Sequence, residues 1–265
     1  AEYSKGVCVI AWSSWESHSI VPTAAISHKI DPSSPVPLET YMAVVNAIIG
    51  LTAWVGVKRI LEVKEGDTLC VSGAAGAVGS LVCQLGKLAG AKVVGICGSA
   101  DKCEFLKTLG CSAAVNYKTD DVKAKLKEVC PEGFTCYFDN VGADITEAAL
   151  ESMKNEGRVA ICGMISQYNQ AFGKEAGKLR CWDTILFRRL RVRGYICVDH
   201  MAEAPAAFGE LEGHLRAGTL HFNKHVFEGD VTKCVEGVQA LTRGSNTGKV
   251  MVKLGEPSNP AYKCA

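Results

Sequence analysis

Between Leu38 and Arg216 the chain alternates short apolar runs with stretches whose apolar residues recur every three to four positions. The runs Thr68–Ser72, Lys92–Cys97, Ala113–Asn116, Thr135–Phe138, Arg158–Cys162 and Arg191–Cys197 read as strands. They lack the polar alternation of a half-exposed strand, so both their faces should be buried. Helical periodicity covers Leu38–Leu61 (one or two helices), Val78–Leu88, Ala100–Leu109, Asp121–Val129, Ile145–Met153 and Pro205–Arg216. Strands alternating with amphipathic helices predict an α/β fold, a doubly wound parallel sheet covered on both faces. Outside this region, Gly6–Trp12 and Ser17–Pro22 read as two short strands, followed by the connector Asp31-Pro-Ser-Ser-Pro-Val-Pro37. After Gly218 come a strand at Lys224–Glu228, a helix at Val231–Thr242 and a strand at Lys249–Leu254, a tail expected to return to the N-terminal strands.

Composition narrows the partners. The 265 residues are 48% hydrophobic and 22% charged, and 29 Lys and Arg against 28 Asp and Glu leave a net charge of +1. Such a balance gives no long-range field for nucleic acid or an anionic membrane, so neither is expected as a partner. The longest apolar run, Ala43 to Val57, is 15 residues, too short to cross a bilayer. Thirteen cysteines fall singly along apolar stretches, with no Cys-x-x-Cys pair. Without a signal-peptide pattern or a glycosylation sequon, they read as reduced thiols filling the core of a cytoplasmic protein.

The segment richest in chemistry is Val71-Ser-Gly-Ala-Ala-Gly-Ala-Val-Gly-Ser80, set between a predicted strand and a predicted helix. Such a turn aims unpaired backbone N–H groups and the positive end of the helix at an anion. Gly76 would let the backbone approach a pyrophosphate, and Gly79 would let helix and strand pack closely. The spacing departs from Gly-x-Gly-x-x-Gly, because Ala74 fills the first position, and a plain tight turn has the same pattern. Its place within a βαβ unit favours the dinucleotide reading. The next strand ends in Gly98-Ser99, with Lys102 three residues on, where an NAD site carries an acid. Small residues leave room for a 2′-phosphate and an ammonium pairs with it, which favours NADP(H). Asp101, the nearest acid, suits the first turn of a helix.

Seven segments occur in order: Gly50-Leu-Thr-Ala-Trp54, Ala74-Ala-Gly-Ala-Val-Gly-Ser80, Asn116-Tyr-Lys118, Tyr137-Phe-Asp-Asn-Val-Gly142, Arg158-Val-Ala-Ile-Cys-Gly163, Ile165-Ser-Gln-Tyr-Asn169 and Asn246-Thr-Gly-Lys249. The set resembles the prostaglandin reductase and NADP-dependent alkenal (leukotriene-type) double-bond reductase branch of the zinc-free medium-chain dehydrogenases/reductases, over essentially the whole chain. The resemblance implies a Rossmann sheet plus remnants of a GroES-like β-rich catalytic domain. Residues 1–36 would be the end of that domain, 37–222 the NADP-binding domain and 223–265 a return to the catalytic domain. Most of the family's barrel is absent from this sequence. That region carries the metal ligands of zinc-dependent relatives, the structural-zinc cysteine cluster is also missing, and no metal is expected.

Position by position, the resemblance implies cofactor contacts at Thr52 and at the phosphate-facing Gly76, Ala77, Val78 and Gly79. It places Lys102 and Tyr117 at the 2′-phosphate, with Ser99 a further cofactor contact and Asn140 beyond the fourth strand. The nicotinamide-side loop is Cys162, Gly163, Met164, Ile165, Ser166, Gln167 and Tyr168; Tyr195, Ile196 and Cys197 lie on a strand along the ring, and Asn246 meets the cofactor amide. Taken singly, Tyr117 also reads as a strand-end aromatic and Asn140 as a turn residue.

The implied chemistry is reduction of the carbon–carbon double bond of an α,β-unsaturated aldehyde or ketone, of the 15-oxo-prostaglandin or alkenal type. Hydride goes from NADPH to the β-carbon, and charge develops on the carbonyl oxygen. Tyr168 is the one catalytic candidate, cofactor packing being its other reading. A quinone reductase on the same fold, or an NADPH-binding structural member without turnover, also fits the sequence. The implied partners are a small enone or enal substrate and a second copy of the chain, as a homodimer through the nucleotide domains. His221 and His225 are spaced for a metal but sit in turn-and-strand sequence, and the Arg188–Arg193 cluster reads as a helix C-terminus entering a strand.

Overall fold

A computed structural model describes residues 3–168, 179–262 and 264. In chain order the strands are β1 (Val9–Ala11), β2 (Ile26–Lys29), β3 (Thr68–Val71), β4 (Lys92–Cys97), β5 (Ala113–Asn116), β6 (Phe134–Asp139), β7 (Met153–Ile161), β8 (Arg191–Gly194), β9 (Lys224–Glu228) and β10 (Lys249–Lys253). The α-helices are α1 (Leu38–Val44), α2 (Thr52–Val55), α3 (Ala77–Leu88), α4 (Ala100–Thr108), α5 (Val122–Val129), α6 (Ala143–Glu151), α7 (Trp182–Arg188), α8 (Ala204–Arg216) and α9 (Lys233–Arg243). The chain divides into two compact units: Thr52–His200, and Ala1–Leu51 with Met201–Ala265.

The unit Thr52–His200 is built on a six-stranded sheet in the order β5-β4-β3-β6-β7-β8, with every neighbouring pair parallel. Strand order reverses between β3 and β6, which opens a crevice at the carboxyl ends of those two strands. Leu69, Cys70 and Val71 of β3 and Val93, Val94 and Ile96 of β4 are all buried, which accounts for the missing polar alternation. The core gathers Ile96, Val115, Leu126, Phe134, Tyr137, Leu150 and Met153, and the thiols of Cys70, Cys130 and Cys181 fill it as small apolar groups.

At the opposite, amino edge of the sheet a buried ion pair joins the entrance of β3 to β7. Arg158 Nη2 donates to both oxygens of Asp67 at 2.6 Å, and its Nη1 donates to the Glu62 carbonyl at 2.9 Å. Thr135 Oγ1 of the intervening β6 donates to Asp67 at 2.7 Å, and the Lys64 N–H does so at 2.9 Å. Burial pushes the Asp67 carboxyl up, but the Thr135 hydroxyl, the Lys64 N–H and the Arg158 guanidinium outweigh it and hold it below the usual carboxylate range.

In the other unit, β1 and β2 form an antiparallel pair, and β9 and β10 a parallel pair linked through α9. The tail reaches the N-terminal segment through Asn259 Nδ2, which donates to the Gly6 carbonyl at 3.2 Å, and the Tyr262 hydroxyl, which donates to the Ile30 carbonyl at 3.1 Å.

The structure corrects the sequence reading at several elements. Ser17–Pro22 forms no strand and is mostly exposed; the partner of β1 is instead Ile26–Lys29. The strand predicted over Arg191–Cys197 stops at Gly194, and Cys197 begins a 3-10 stretch to Glu203. Helix α7 has no counterpart in the predicted elements. The helical region Leu38–Ile60 runs through two π turns, Ala47–Leu51 and Gly56–Ile60. At 23 residues and a mean hydropathy of 1.6 it is long and apolar enough to cross a membrane, which the 15-residue run did not suggest, but 89% of its most apolar window is buried inside the protein. It is a core element.

Because the folded pKa of Asp67 lies below its unfolded value, its pair stabilises the fold at neutral pH and is lost as pH falls below about 4. Asp67→Ala should therefore cost about 3–5 kcal/mol in urea unfolding at pH 7, by stranding the Arg158 charge, and should flatten the acid limb of the stability profile. The double variant Asp67→Leu/Arg158→Met should recover most of that loss.

Candidate functional site

Strand β3 ends at Val71, and the chain then turns tightly through Ser72–Gly76 into α3. The Ala74 N–H donates to the Ile96 carbonyl and the Gly76 N–H to the Gly73 carbonyl, each at 3.0 Å. Gly73 adopts φ +57°, a conformation open to glycine. A Cβ on Gly79 would stand 2.3 Å from the Gly73 carbonyl oxygen and 2.8 Å from the Ala74 Cα, so the helix reaches the turn only because residue 79 has no side chain. Gly76 is the N-cap of α3 and no side chain caps it. The N–H groups of Ala77, Val78 and Gly79 have no intrahelical acceptor at that end, which is the geometry of an anion site.

At the end of β4, Ser99 caps α4 by accepting from the Lys102 N–H at 3.3 Å. Tyr117 lies across Gly98: a Cβ there would meet the tyrosine ring at 2.7–2.8 Å. The tyrosine is held by its own N–H, which donates to the Cys97 carbonyl at 3.0 Å. Burial pulls the Lys102 ammonium below the ordinary lysine value; the neighbouring Cys97 works against that and the Lys118 ammonium adds to it. Lys118 thus adds its charge to the field felt by Lys102, in the turn where the dinucleotide reading places a 2′-phosphate. Lys118 carries no signal in the sequence: nothing in its spacing distinguishes it from a solvent-facing lysine.

The loops after β6 and β7 are organised by Asp139, whose carboxylate is almost wholly buried. Its Oδ1 accepts from Ser72 Oγ at 2.8 Å, the Tyr137 hydroxyl at 2.9 Å, the Val141 N–H at 2.9 Å and the Gly142 N–H at 3.1 Å, while Oδ2 accepts from Thr146 Oγ1. Its backbone carbonyl accepts from the N–H groups of Cys162 at 2.8 Å and Gly163 at 3.0 Å. Asn140 donates through Nδ2 to the Ser72 carbonyl at 2.7 Å, which leaves its carboxamide oxygen and second N–H for a ligand.

The loop of residues 162–168 is lashed to the same turn. The Ile165 N–H donates to the Asn140 carbonyl at 3.1 Å, and Ser166 Oγ donates to the Val141 carbonyl at 2.6 Å. The Tyr168 hydroxyl accepts the Met164 N–H at 3.1 Å, and its ring is half-exposed. Gln167 Oε1 is buried without a hydrogen-bond partner, an acceptor waiting for a donor. Asn169, the last residue of that motif, lies outside the described residues.

Tyr195 and Thr52 meet through the Tyr195 hydroxyl, which donates to the Thr52 carbonyl at 2.7 Å. Burial and the nearby Cys162 push that phenol far above its ordinary value, so it stays neutral. Ile196 is exposed and Cys197 half-buried; neither belongs to a strand, contrary to expectation, and only the Tyr195 N–H extends the ladder, to the Ile161 carbonyl at 3.4 Å. Asn246 belongs to the other unit, where it is buried and donates to the Gly248 carbonyl at 3.0 Å. Among the described residues no group of three or more His, Cys, Asp or Glu side chains is placed to hold a metal ion.

Residues 77–212 match the family described as zinc-binding dehydrogenase. Prostaglandin reductase 1 of Mus musculus is 38% identical over 254 residues, covering 95% of this chain and 76% of that protein. The 2-alkenal reductase (NADP(+)-dependent) of Nicotiana tabacum is 35% identical over 255 residues, 96% of this chain and 73% of its own length. Among solved structures, CurA in complex with NADPH from Vibrio vulnificus superposes with a TM-score of 0.85 at 32% identity, covering 97% of this chain and 76% of that one.

The Asp139 geometry has a direct consequence. Asp139→Ala leaves two N–H groups and three hydroxyls without their shared acceptor, and urea unfolding should show a loss of more than about 3 kcal/mol. Asp139→Asn keeps a carbonyl oxygen in place and should restore most of it.

Proposed function

The chain belongs to the zinc-binding dehydrogenase family, in the prostaglandin reductase and 2-alkenal reductase branch of the medium-chain dehydrogenases/reductases, and on that premise we propose that it reduces the carbon–carbon double bond of α,β-unsaturated aldehydes and ketones with NADPH. It is an NADP-dependent oxidoreductase. The observation that carries the cofactor assignment is Lys102 in the turn capped by Ser99, with Tyr117 across Gly98, where an NAD site would hold an acid. The family's name mentions zinc; among the described residues no three His, Cys, Asp or Glu side chains are grouped to hold one.

The fit to a dinucleotide rests on the uncapped N-terminus of α3, the close approach of Gly79 and the orphaned Gln167 oxygen. The N–H groups of Ala77–Gly79 would hold the pyrophosphate, Lys102 and Lys118 the 2′-phosphate, and Gln167 Oε1 would accept from the carboxamide. Bound NADPH supplies the hydride. Tyr168, its hydroxyl oxygen steadied by the Met164 N–H, donates its own proton as a hydrogen bond to the substrate carbonyl oxygen, where negative charge accumulates. A proton for the α-carbon comes from water, so the chain needs no buried acid.

The assay follows NADPH absorbance with a linear 2-alkenal and with the matching saturated aldehyde. Consumption with the alkenal alone is expected; consumption with the saturated aldehyde, or with neither, overturns the substrate class. Tyr168→Phe should lower kcat by about tenfold with NADPH affinity unchanged, while Lys102→Ala should weaken NADPH by at least about tenfold and leave NADH unaffected.

The protein also forms a homodimer in this reading. Strand β8 is the outer strand of the sheet, with every residue exposed, and Trp182, Leu186 and Phe187 of the neighbouring α7 expose more than two thirds of their surface. An unpaired edge beside a large apolar patch suits a second copy. Sedimentation should show a dimer that the Leu186→Asp/Phe187→Asp double variant converts to a folded monomer.

A further inference from the structure

Cys97 is the last residue of β4 and is buried; Cys103 lies six residues on, in the first half of α4, and is half-buried. Their sulfurs are 3.3 Å apart. Both are wired to the same turn: Cys97 Sγ donates to the Ser99 carbonyl at 3.8 Å, and that carbonyl also accepts the Cys103 N–H at 3.1 Å. Ser99 Oγ in turn holds the Lys102 N–H. The pair thus lies under the segment that presents Lys102, and the chain runs from one sulfur to the other through that segment.

We propose that Cys97 and Cys103 form a reversible disulfide that distorts the Gly98–Lys102 turn and weakens its hold on the cofactor's 2′-phosphate; the second half of this statement rests on the NADP reading above. A disulfide requires sulfurs about 2.05 Å apart, so closure draws the first turn of α4 more than about 1 Å towards β4. Cys97 also loses the S–H that bonds the Ser99 carbonyl. Lys102, adjacent to Cys103, moves with it.

The oxidant is a hydroperoxide. The Cys103 thiolate attacks the peroxide O–O bond and becomes a sulfenic acid, and an alcohol or water leaves. Cys97 sulfur then displaces the sulfenic hydroxyl, which departs as water with the Cys97 proton. Two thiols lose two electrons and two protons, and the peroxide is reduced. Cys103 is half-buried and Cys97 buried, so Cys103 is the sulfur that meets the oxidant first; burial, and then the hydrogen bond shared with Cys103, push the Cys97 thiol up to about 12. The half-buried Cys103 sulfur leaves the bridge open to thiol–disulfide exchange, which reverses it.

Trypsin cuts after Lys92, Lys102 and Lys107, so the disulfide would link the peptides Val93–Lys102 and Cys103–Lys107. The full chain is treated with hydrogen peroxide, capped with iodoacetamide and mapped by mass spectrometry, and Kd values for NADPH and NADH are measured before and after. The linked peptides should appear, vanish with dithiothreitol, and accompany about a tenfold fall in the preference for NADPH with NADH affinity held. Cys103→Ala should bind NADPH like the reduced protein and keep that preference under peroxide. Absence of the linked peptides, an unchanged preference in the linked protein, or a Cys103→Ala variant as peroxide-sensitive as the parent each overturns the proposal. A reduced protein with no preference for NADPH fails the cofactor reading and removes the affinity half, while the peptide map still decides whether the bridge forms.

Discussion

One buried carboxylate sets the geometry of the sheet's functional edge. A charge in an apolar core is costly unless donors surround it, and Asp139 is surrounded by two backbone N–H groups and three hydroxyls. Each donor comes from a place that must be positioned. Ser72 belongs to the glycine turn, Val141 and Gly142 to the loop before α6, and Thr146 to α6 itself. The carbonyl of the same residue fixes Cys162 and Gly163. Loops from three neighbouring strands therefore take their register from a single side chain and its peptide group.

The two helix N-termini at this edge are handled in opposite ways. Ser99 caps α4 and Asp101 sits in its first turn, so that end is satisfied by the protein itself. Helix α3 begins at a glycine with no capping side chain and no acid in its first turn, so its positive end is left for something else. Positive charge beside α4 comes from side chains instead, the two lysines. In the proposed binding mode a phosphate diester and a phosphate monoester, which differ in charge, would face different kinds of donor: dipolar N–H groups at one and full cations at the other.

The doubly wound sheet was legible because its strands are buried on both faces and so appear as unbroken apolar runs. Helix α7 was not, because Trp182, Leu186 and Phe187 face solvent and of its apolar residues only Ile185 packs against the core, too few to make a stripe. The end of β8 was misread for a related reason: Tyr195 and Ile196 continue an apolar run after pairing has stopped, one buried and the other exposed. At the site, the glycine turn and Lys102 could be read from local spacing. Asp139 sat inside a quoted motif, but its partners span residues 72 to 146, and such convergence exists only after folding. Most of the remaining site residues came from family resemblance and would not have been found by spacing alone.

The distribution of thiols gives the molecule an internal clock. The buried cysteines (Cys70, Cys83, Cys97, Cys111, Cys130, Cys136 and Cys181) all belong to the unit Thr52–His200, whereas Cys8, Cys234 and Cys264 of the other unit are only half-buried. An alkylating reagent reaches the first group only when their surroundings open, and the second under native conditions. Cys70 on β3 and Cys136 on β6 sit beside the crevice strands, so their labelling times the rarest event, separation of the central pair of the sheet. Packing the core with sulfur in place of valine or alanine thus lets the opening of one unit be read without a probe being added.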